Sequence, residues 1–381
     1  MSARAMKWPS VAHLCDAMER IAPTWAAADW DNVGLLVGDR TWPARRVLLS
    51  IDMTAVVLDE ATRGKFDVIL AYHPPIFRAV KRLVPNRAAQ DGLAAEALAR
   101  HIAVYSPHTA LDAAPGGTNE TLAVLAGLTE LTPFESVAEP SPTCKLVVFV
   151  PDSHVDRVAE AVFAAGAGQI GDYGECSFRL RGEGTFFGKE ATRPVVGKKG
   201  RLERVSETRL EVVFPERLLG DVTTALRQVH PYEEPAFDVY RLRSSPDGRI
   251  GQGRIGRFTK PVTLGALAKS LTGKTGASNA TIVGRPGQRL RRGLVCVGAA
   301  GSLPFELPAH PCREGDVILT GEIRHHDALR YQRCGAAAIA LGHWASERLV
   351  LKPLAARLRR ETPAFLTTVS RKDCDPFGTT S

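Results

Sequence analysis

The chain has 381 residues, 44% apolar and 24% charged, with 49 Lys and Arg against 41 Asp and Glu for a formal charge of +8. This length predicts two or three domains, and the composition excludes a disordered chain. The small positive excess favours anionic small ligands by long-range attraction, yet no interleaved basic and aromatic run marks a nucleic-acid groove. The densest basic cluster, Arg285 to Arg292, reads as a solvated loop or hairpin.

Seven scattered cysteines without a CxxC pair argue against a thiolate zinc site or a dithiol centre, and they suit a reducing, cytoplasmic compartment. There is no apolar span of about 18 to 20 residues, and the N-terminus lacks a secretory core, so no membrane association is expected.

In chain order, residues 10–22 repeat apolar positions at three- and four-residue intervals behind Ser10, which predicts a helix. TWAAADWDNVGLLVGD follows as a packed loop. ARRVLLSIDM predicts a strand, TAVVLDEATRG a helix ended by Gly64, and FDVILAYHP a strand closed by Pro74 and Pro75. Residues 89–100 predict a helix, and HIAVYSPHTALD a strand running into a polar loop with His108 and Asp112. Such alternation predicts a largely parallel or mixed sheet in an α/β fold.

EPSPTCK marks a boundary. Beyond it, KLVVFVP (145–151), SHVDRVAEAVFAAG and YGECSFRL are echoed by RLEVVFP (209–215), LLGDVTTALRQV and FDVYRL. Two strand–helix–strand copies predict an α/β plait, or ferredoxin-like domain, that ends at SSPDGRI. The remainder alternates again through VTLGALAKSLTG, LRRGLVCVGAAG, DVILTGEIRHHDALRYQRCG and AAIALGHWASERLVLKPLAARLRRE. The predicted organisation is therefore 1–140 and 248–381 as two parts of one domain, with 141–247 inserted.

Candidate chemistry gathers where apolar strands end. His73 follows FDVILAY, His108 and Asp112 follow AVYSP, and His343 and Glu347 follow AIALG. Strand ends in α/β sheets hold ligands because loops converge there on a rigid support. His343 and Glu347, four residues apart, share one helix face. Imidazole nitrogen with carboxylate oxygen suits zinc, iron, manganese, cobalt or nickel. The expected metal ligands are His73, Asp112, His343 and Glu347, and the residues leave open whether one ion or two are held. His108, His325 and His326 are further candidates. GGTN (116–119) and GAAGS (298–302) read as close-packing glycine turns, because neither matches GxxxxGK[ST].

WDNVGLLVG (30–38), YHPPIF (72–77), YSPHTALDAAPGGTNETLA (105–123), HPYEEPAFDVY (230–240), LTGEIRHHDAL (319–329) and GHWASE (342–347) together resemble the NIF3-like family of dinuclear metal-centre proteins, also described as GTP cyclohydrolase 1 type 2 homologues. The resemblance implies a split mixed-sheet α/β domain with an inserted plait, two divalent metal ions per subunit, and a homo-oligomer, typically a hexamer. Many members carry adjacent histidines before the proline; here Tyr72 precedes His73, so one imidazole is replaced by a phenol. The expected function is metal-dependent hydrolysis of a nucleotide or phosphorylated small molecule, with Glu322 or His325 transferring a proton. The alternative is a non-enzymatic metal-dependent scaffold or regulatory protein.

Overall fold

A computed structural model describes residues 8–137, 143–192, 195–243, 248–307 and 309–378. The expected boundary stretches at 139–142 and 244–247 lie outside the described residues. By its internal contacts the chain divides into two units, 1–137 with 246–381 and 138–245.

The first unit contains two mixed sheets. One runs Gly34–Val37, Ala103–Ser106, Val68–Ala71, Arg46–Ser50, Leu366–Val369; its first pair is antiparallel and the rest are parallel. The central strands are buried along their whole length, which explains their continuous apolar runs. The helix Val11–Ile21, begun by Ser10 in a capping box with His13, buries Leu14, Met18 and Ile21 against this sheet with Leu351, Leu354 and Leu358. The other sheet runs Thr281–Val283, Ala337–Ala340, Asp316–Thr320, Arg289–Val295, Arg254–Thr263, Leu128–Thr132. Its inner three strands are parallel, and the helix Leu264–Thr275 packs Leu264, Leu267 and Leu271 on it. The basic cluster divides between a turn and a strand start: Arg292 leaves solvent to pair with buried Asp316 at 2.5 Å.

Arg254 is 1% exposed and ties chain-distant pieces of this unit together. Its guanidinium donates to the carbonyls of Gly251 and Gly253 at 2.7 Å, and to those of Ala113 and Ala114 at 3.1 and 2.9 Å. The last two lie at the end of the helix His108–Ala113, where each also accepts a backbone N–H, from Gly251 and Gly117, and Arg254 Nε reaches Glu120 Oε2 at 3.2 Å, so a cation from GQGRIG completes a polar cluster at that helix end.

The second unit is a four-stranded antiparallel sheet ordered Phe178–Phe187, Leu202–Pro215, Thr143–Pro151, Phe237–Arg241. Helices Val155–Ala164 and Leu219–Val229 cover one face over Leu146, Val148, Leu210 and Val212. The chain order is strand–helix–strand twice, so this is an α/β plait. Its strands Phe178–Phe187 and Leu202–Pro215 form a hairpin longer than the two apolar runs predict. Among the described residues, no helix is long and apolar enough to cross a membrane.

Candidate metal centre

The site grows from three strand ends. Val68–Ala71 delivers Tyr72 and His73, Ala103–Ser106 leads to His108 and Asp112, and Ala337–Ala340 leads through Gly342 to His343 and Glu347. One expectation changes here. His108 and Asp112 stand on a short helix, His108–Ala113, rather than in a polar loop. Six residues after Pro107 are too few to show helical periodicity in a sequence. His108 itself sits at φ +23°, a strained value for a residue with a side chain.

His343 and Glu347 occupy one face of the helix His343–Arg348, and His73 meets them from the other sheet. One donor atom from each of these three lies within 4.8 Å of the other two, a group that could hold a metal ion. His73 Nε2 is 3.2 Å from Glu347 Oε2, and His343 Nε2 is 3.2 Å from Oε1. Glu347 is buried, yet Oε2 has no hydrogen-bond partner among the described residues, although His73 Nε2 stands 3.2 Å away. Buried carboxylate oxygens rarely go unmatched, and two imidazole nitrogens with an orphaned carboxylate oxygen fit a divalent cation.

Each imidazole is braced from behind. His73 Nδ1 donates to Asp52 Oδ1 at 2.9 Å, and His343 Nδ1 donates to Glu322 Oε1 at 3.0 Å. A carboxylate on Nδ1 fixes the tautomer and leaves Nε2 as the free ligand nitrogen. Burial favours neutral His73, but Asp52 and Glu347 outweigh it and raise its pKa to about 10 in the metal-free protein. Burial likewise opposes ionisation of Glu347, and the two imidazoles outweigh it, holding its carboxyl below the usual value. Contact with Glu347, partly opposed by burial, raises His343.

Asp112 stands outside the three-donor group. Its Oδ1 accepts a 2.5 Å hydrogen bond from the hydroxyl of Tyr72, which is sealed from solvent. Burial pushes the Asp112 carboxyl up to about 6, against the pull of Tyr72 and His108. Burial also holds the Tyr72 phenol well above its ordinary value, so it remains a donor. Beside this pair, His108 lies 5.4 Å from His73 between ring centres, and its Nδ1 donates to Asp31 Oδ1 at 2.8 Å. Exposed Trp30 and Phe77 lie 5.9 Å apart between ring centres, tilted at 55°, and Trp30 meets His108 edge-on at 6.1 Å. His325 and His326 are exposed at the start of the helix His325–Arg333 and face each other at 5.5 Å; neither belongs to the three-donor group.

The glycine turns serve close approach. A Cβ on Gly298, at φ +61°, would meet Glu347 Oε1 at 2.4 Å, and one on Gly117 would meet the Leu111 carbonyl at 1.7 Å. Asn119, from GGTN, donates to the Asp112 carbonyl and accepts from the Val297 amide. Sequence reasoning missed Asp31 and Asp52 as imidazole partners. Asp52 directly follows the strand Arg46–Ser50 and Ile51, so the strand-end rule applied to His73 would have found it.

Comparison with known proteins agrees with this architecture. Residues 9–376 match the sequence profile of Duf34/NIF3 (NGG1p interacting factor 3). A Halalkalibacterium halodurans protein named GTP cyclohydrolase 1 type 2 homolog is 38% identical over 312 residues, 81% of each chain. A Bacillus subtilis protein of the same name is 33% identical, covering 94% of this chain and 95% of its own. The crystal structure of a Bacillus cereus protein related to NIF3 superposes with a TM-score of 0.70 at 31% identity, covering 98% of this chain and 100% of that one. A Staphylococcus aureus structure gives a TM-score of 0.80 at 25% identity, covering 99% and 100%. Two mixed sheets, a plait and a profile match across nearly the whole length make this chain a member of the Duf34/NIF3 family.

Proposed function

We propose that this protein is a metal-dependent hydrolase whose divalent ion is held by His73, His343 and Glu347. The observation that carries the reading is the orphaned Oε2 of buried Glu347, set between two imidazoles whose other nitrogens are already engaged by Asp52 and Glu322. Zinc, iron, manganese, cobalt and nickel all suit that donor set. Bound there, the ion supplies Lewis-acid polarisation of a carbonyl or phosphoryl oxygen and acidifies water.

The chain's own residues supply the remainder. Asp112, whose carboxyl burial pushes up to about 6 in the metal-free protein, is placed to accept or return a proton, while Tyr72 fixes its orientation. Asp31 orients His108 toward the same space. Glu322 is the more exposed proton-transfer candidate, and its contact with His343 also makes it an orienting group. His325, outside the three-donor group, would reach a substrate only at the rim. Trp30 and Phe77 are exposed aromatic rings, with Trp30 edge-on to His108, and ring faces of this kind favour a substrate that itself carries a ring, such as a nucleotide, over a bare phosphoester.

One firmly held ion per chain is the reading these residues support. A second would need Asp112, which Tyr72 already engages, and His326 remains at the exposed helix start. A homo-oligomer, hexameric as in the resemblance, is part of the same reading.

The test is elemental analysis of the native protein and of Glu347→Gln, paired with turnover of a nucleotide and phosphoester panel. Loss of metal and turnover together in a folded variant supports the assignment. Full metal content in Glu347→Gln rejects the ligand set. A metal-loaded wild type that turns over nothing rejects the hydrolase and leaves the scaffold or regulatory alternative.

A further inference from the structure

The unit 138–245 carries a cavity of about 690 Å³ on the face of its sheet opposite the two helices. Alternation along the strands sends Leu146, Val148, Leu210 and Val212 to the helices and leaves Phe149, Glu207 and Arg209 on the open face. Phe186 from the hairpin and Tyr232 from the HPYEEP turn complete the part of the lining that matters here.

Among the charged residues that line this cavity, one carboxylate is buried. Glu207 is 9% exposed, and its Oε1 accepts a 2.8 Å hydrogen bond from the Tyr232 hydroxyl. Among the described residues, no Lys or Arg pairs with Glu207; the neighbouring Arg209 is 2.8 Å from Glu211 instead. The strand opposite makes room for the acid. A Cβ on Gly184 would come within 2.0 Å of Glu207 Oε2, whereas one on Gly182, the residue paired with Glu207, would meet open space. Rings of Phe186 and Tyr232 stand 6.3 Å apart, and Phe149, with the Arg209 guanidinium over its ring at 5.9 Å, adds a third aromatic ring to the lining.

A carboxylate can only accept hydrogen bonds, and removing it from water is costly unless donors or positive charge meet it. Aromatic walls attract cations through the negative face of the ring and stack flat apolar bodies. A volume of this size takes a small organic molecule. We propose that the inserted unit binds a small organic cation, an amine or amidine on an aromatic or apolar body, with its N–H groups on Glu207 and its body against Phe149, Phe186 and Tyr232. This site is separate from the metal centre and does not depend on the hydrolase reading.

Benzamidine, a planar cation, and benzamide, its neutral counterpart, test the site by calorimetric or ligand-observed NMR titration of the full chain. Benzamidine is expected to bind saturably and at least about tenfold more tightly than benzamide, the gain of one charge-assisted contact. Glu207→Gln should reduce benzamidine to the level of benzamide while bound metal and the unfolding temperature stay unchanged. Tyr232→Phe keeps the ring and should keep benzamidine binding. Gly182→Leu, which fills the open space beside the acid and keeps its carboxylate, provides a second loss-of-binding variant should Glu207→Gln unfold. Absence of saturable benzamidine binding, equal affinity for benzamide, or wild-type affinity in both Glu207→Gln and Gly182→Leu would overturn the proposal.

Discussion

The hydroxyl of fully buried Tyr72 donates a 2.5 Å hydrogen bond to Oδ1 of half-buried Asp112. A phenol there engages a carboxylate that would otherwise be free to bind a cation. The bond couples the two strand ends Val68–Ala71 and Ala103–Ser106, which are already parallel neighbours. Replacing Tyr72 with His adds an imidazole at this point and releases the carboxylate. We expect Tyr72→His to raise bound metal above the wild-type amount by elemental analysis. An unchanged metal content would show that Tyr72 does not limit occupancy.

Tyr72→Phe removes the donor and keeps the ring. The expected cost is about 1 kcal/mol, the usual net value of one hydrogen bond, with metal content no lower than in the wild type, because the three-donor group is intact and Asp112 is released. Denaturant unfolding with and without chelator measures both. The Asp112 carboxyl should then titrate above its present value of about 6, because the hydrogen bond that lowers it is gone.

Metal binding must displace a proton from His73. In the metal-free protein its pKa is raised from 6.5 to about 10, since Asp52 and Glu347 outweigh burial. The sign follows directly: this group's contribution to metal-free stability is full below the unfolded value and is lost as pH rises through about 10. Metal affinity therefore falls as pH is lowered from 10 toward neutrality, with close to one proton released from His73 per ion near pH 7. Calorimetry in buffers of different ionisation enthalpy counts that proton. Binding without release between pH 7 and 8 would contradict a charged His73.

Asp52→Ala removes the carboxylate behind His73 without touching the donor nitrogen. Second partners of this kind typically contribute about 10- to 100-fold in metal affinity, and a loss in that range is expected by competition with a chelator. An unchanged affinity would mean that Asp52 does not orient the ring.

Arg254→Met removes the buried guanidinium shared by the carbonyls of Ala113, Ala114, Gly251 and Gly253 and by the Glu120 carboxylate. A loss of about 3 kcal/mol or more in unfolding free energy is expected, because several buried acceptors lose a charged partner at once. Arg254→Lys should recover little, since one ammonium cannot span carbonyls arranged around a planar fork. A wild-type denaturation midpoint in Arg254→Met would overturn this role.

Strand identity and strand ends were legible because burial on both faces writes uninterrupted apolar runs such as VILA and AAIA, and proline or glycine closes them. The helix His108–Ala113 was not legible, because one short turn behind a proline carries no period. The long hairpin of the plait escaped for another reason. Its outer half alternates exposed with only half-buried positions, and Gly184 and Glu203 are among the half-buried ones, so the sequence shows no apolar alternation there.

Sequence by itself determined which residue types stand at the ends of rigid strands, since local periodicity and turn formers act over a few residues. It also determined the family through motifs kept in order along the chain. Only the tertiary structure decided that His73 joins His343 and Glu347 while Asp112 is engaged by Tyr72, and that Asp52 and Glu322 brace the imidazoles. Convergence of that kind depends on how two separate sheets meet, and ångström differences in packing decide which donors share a point in space.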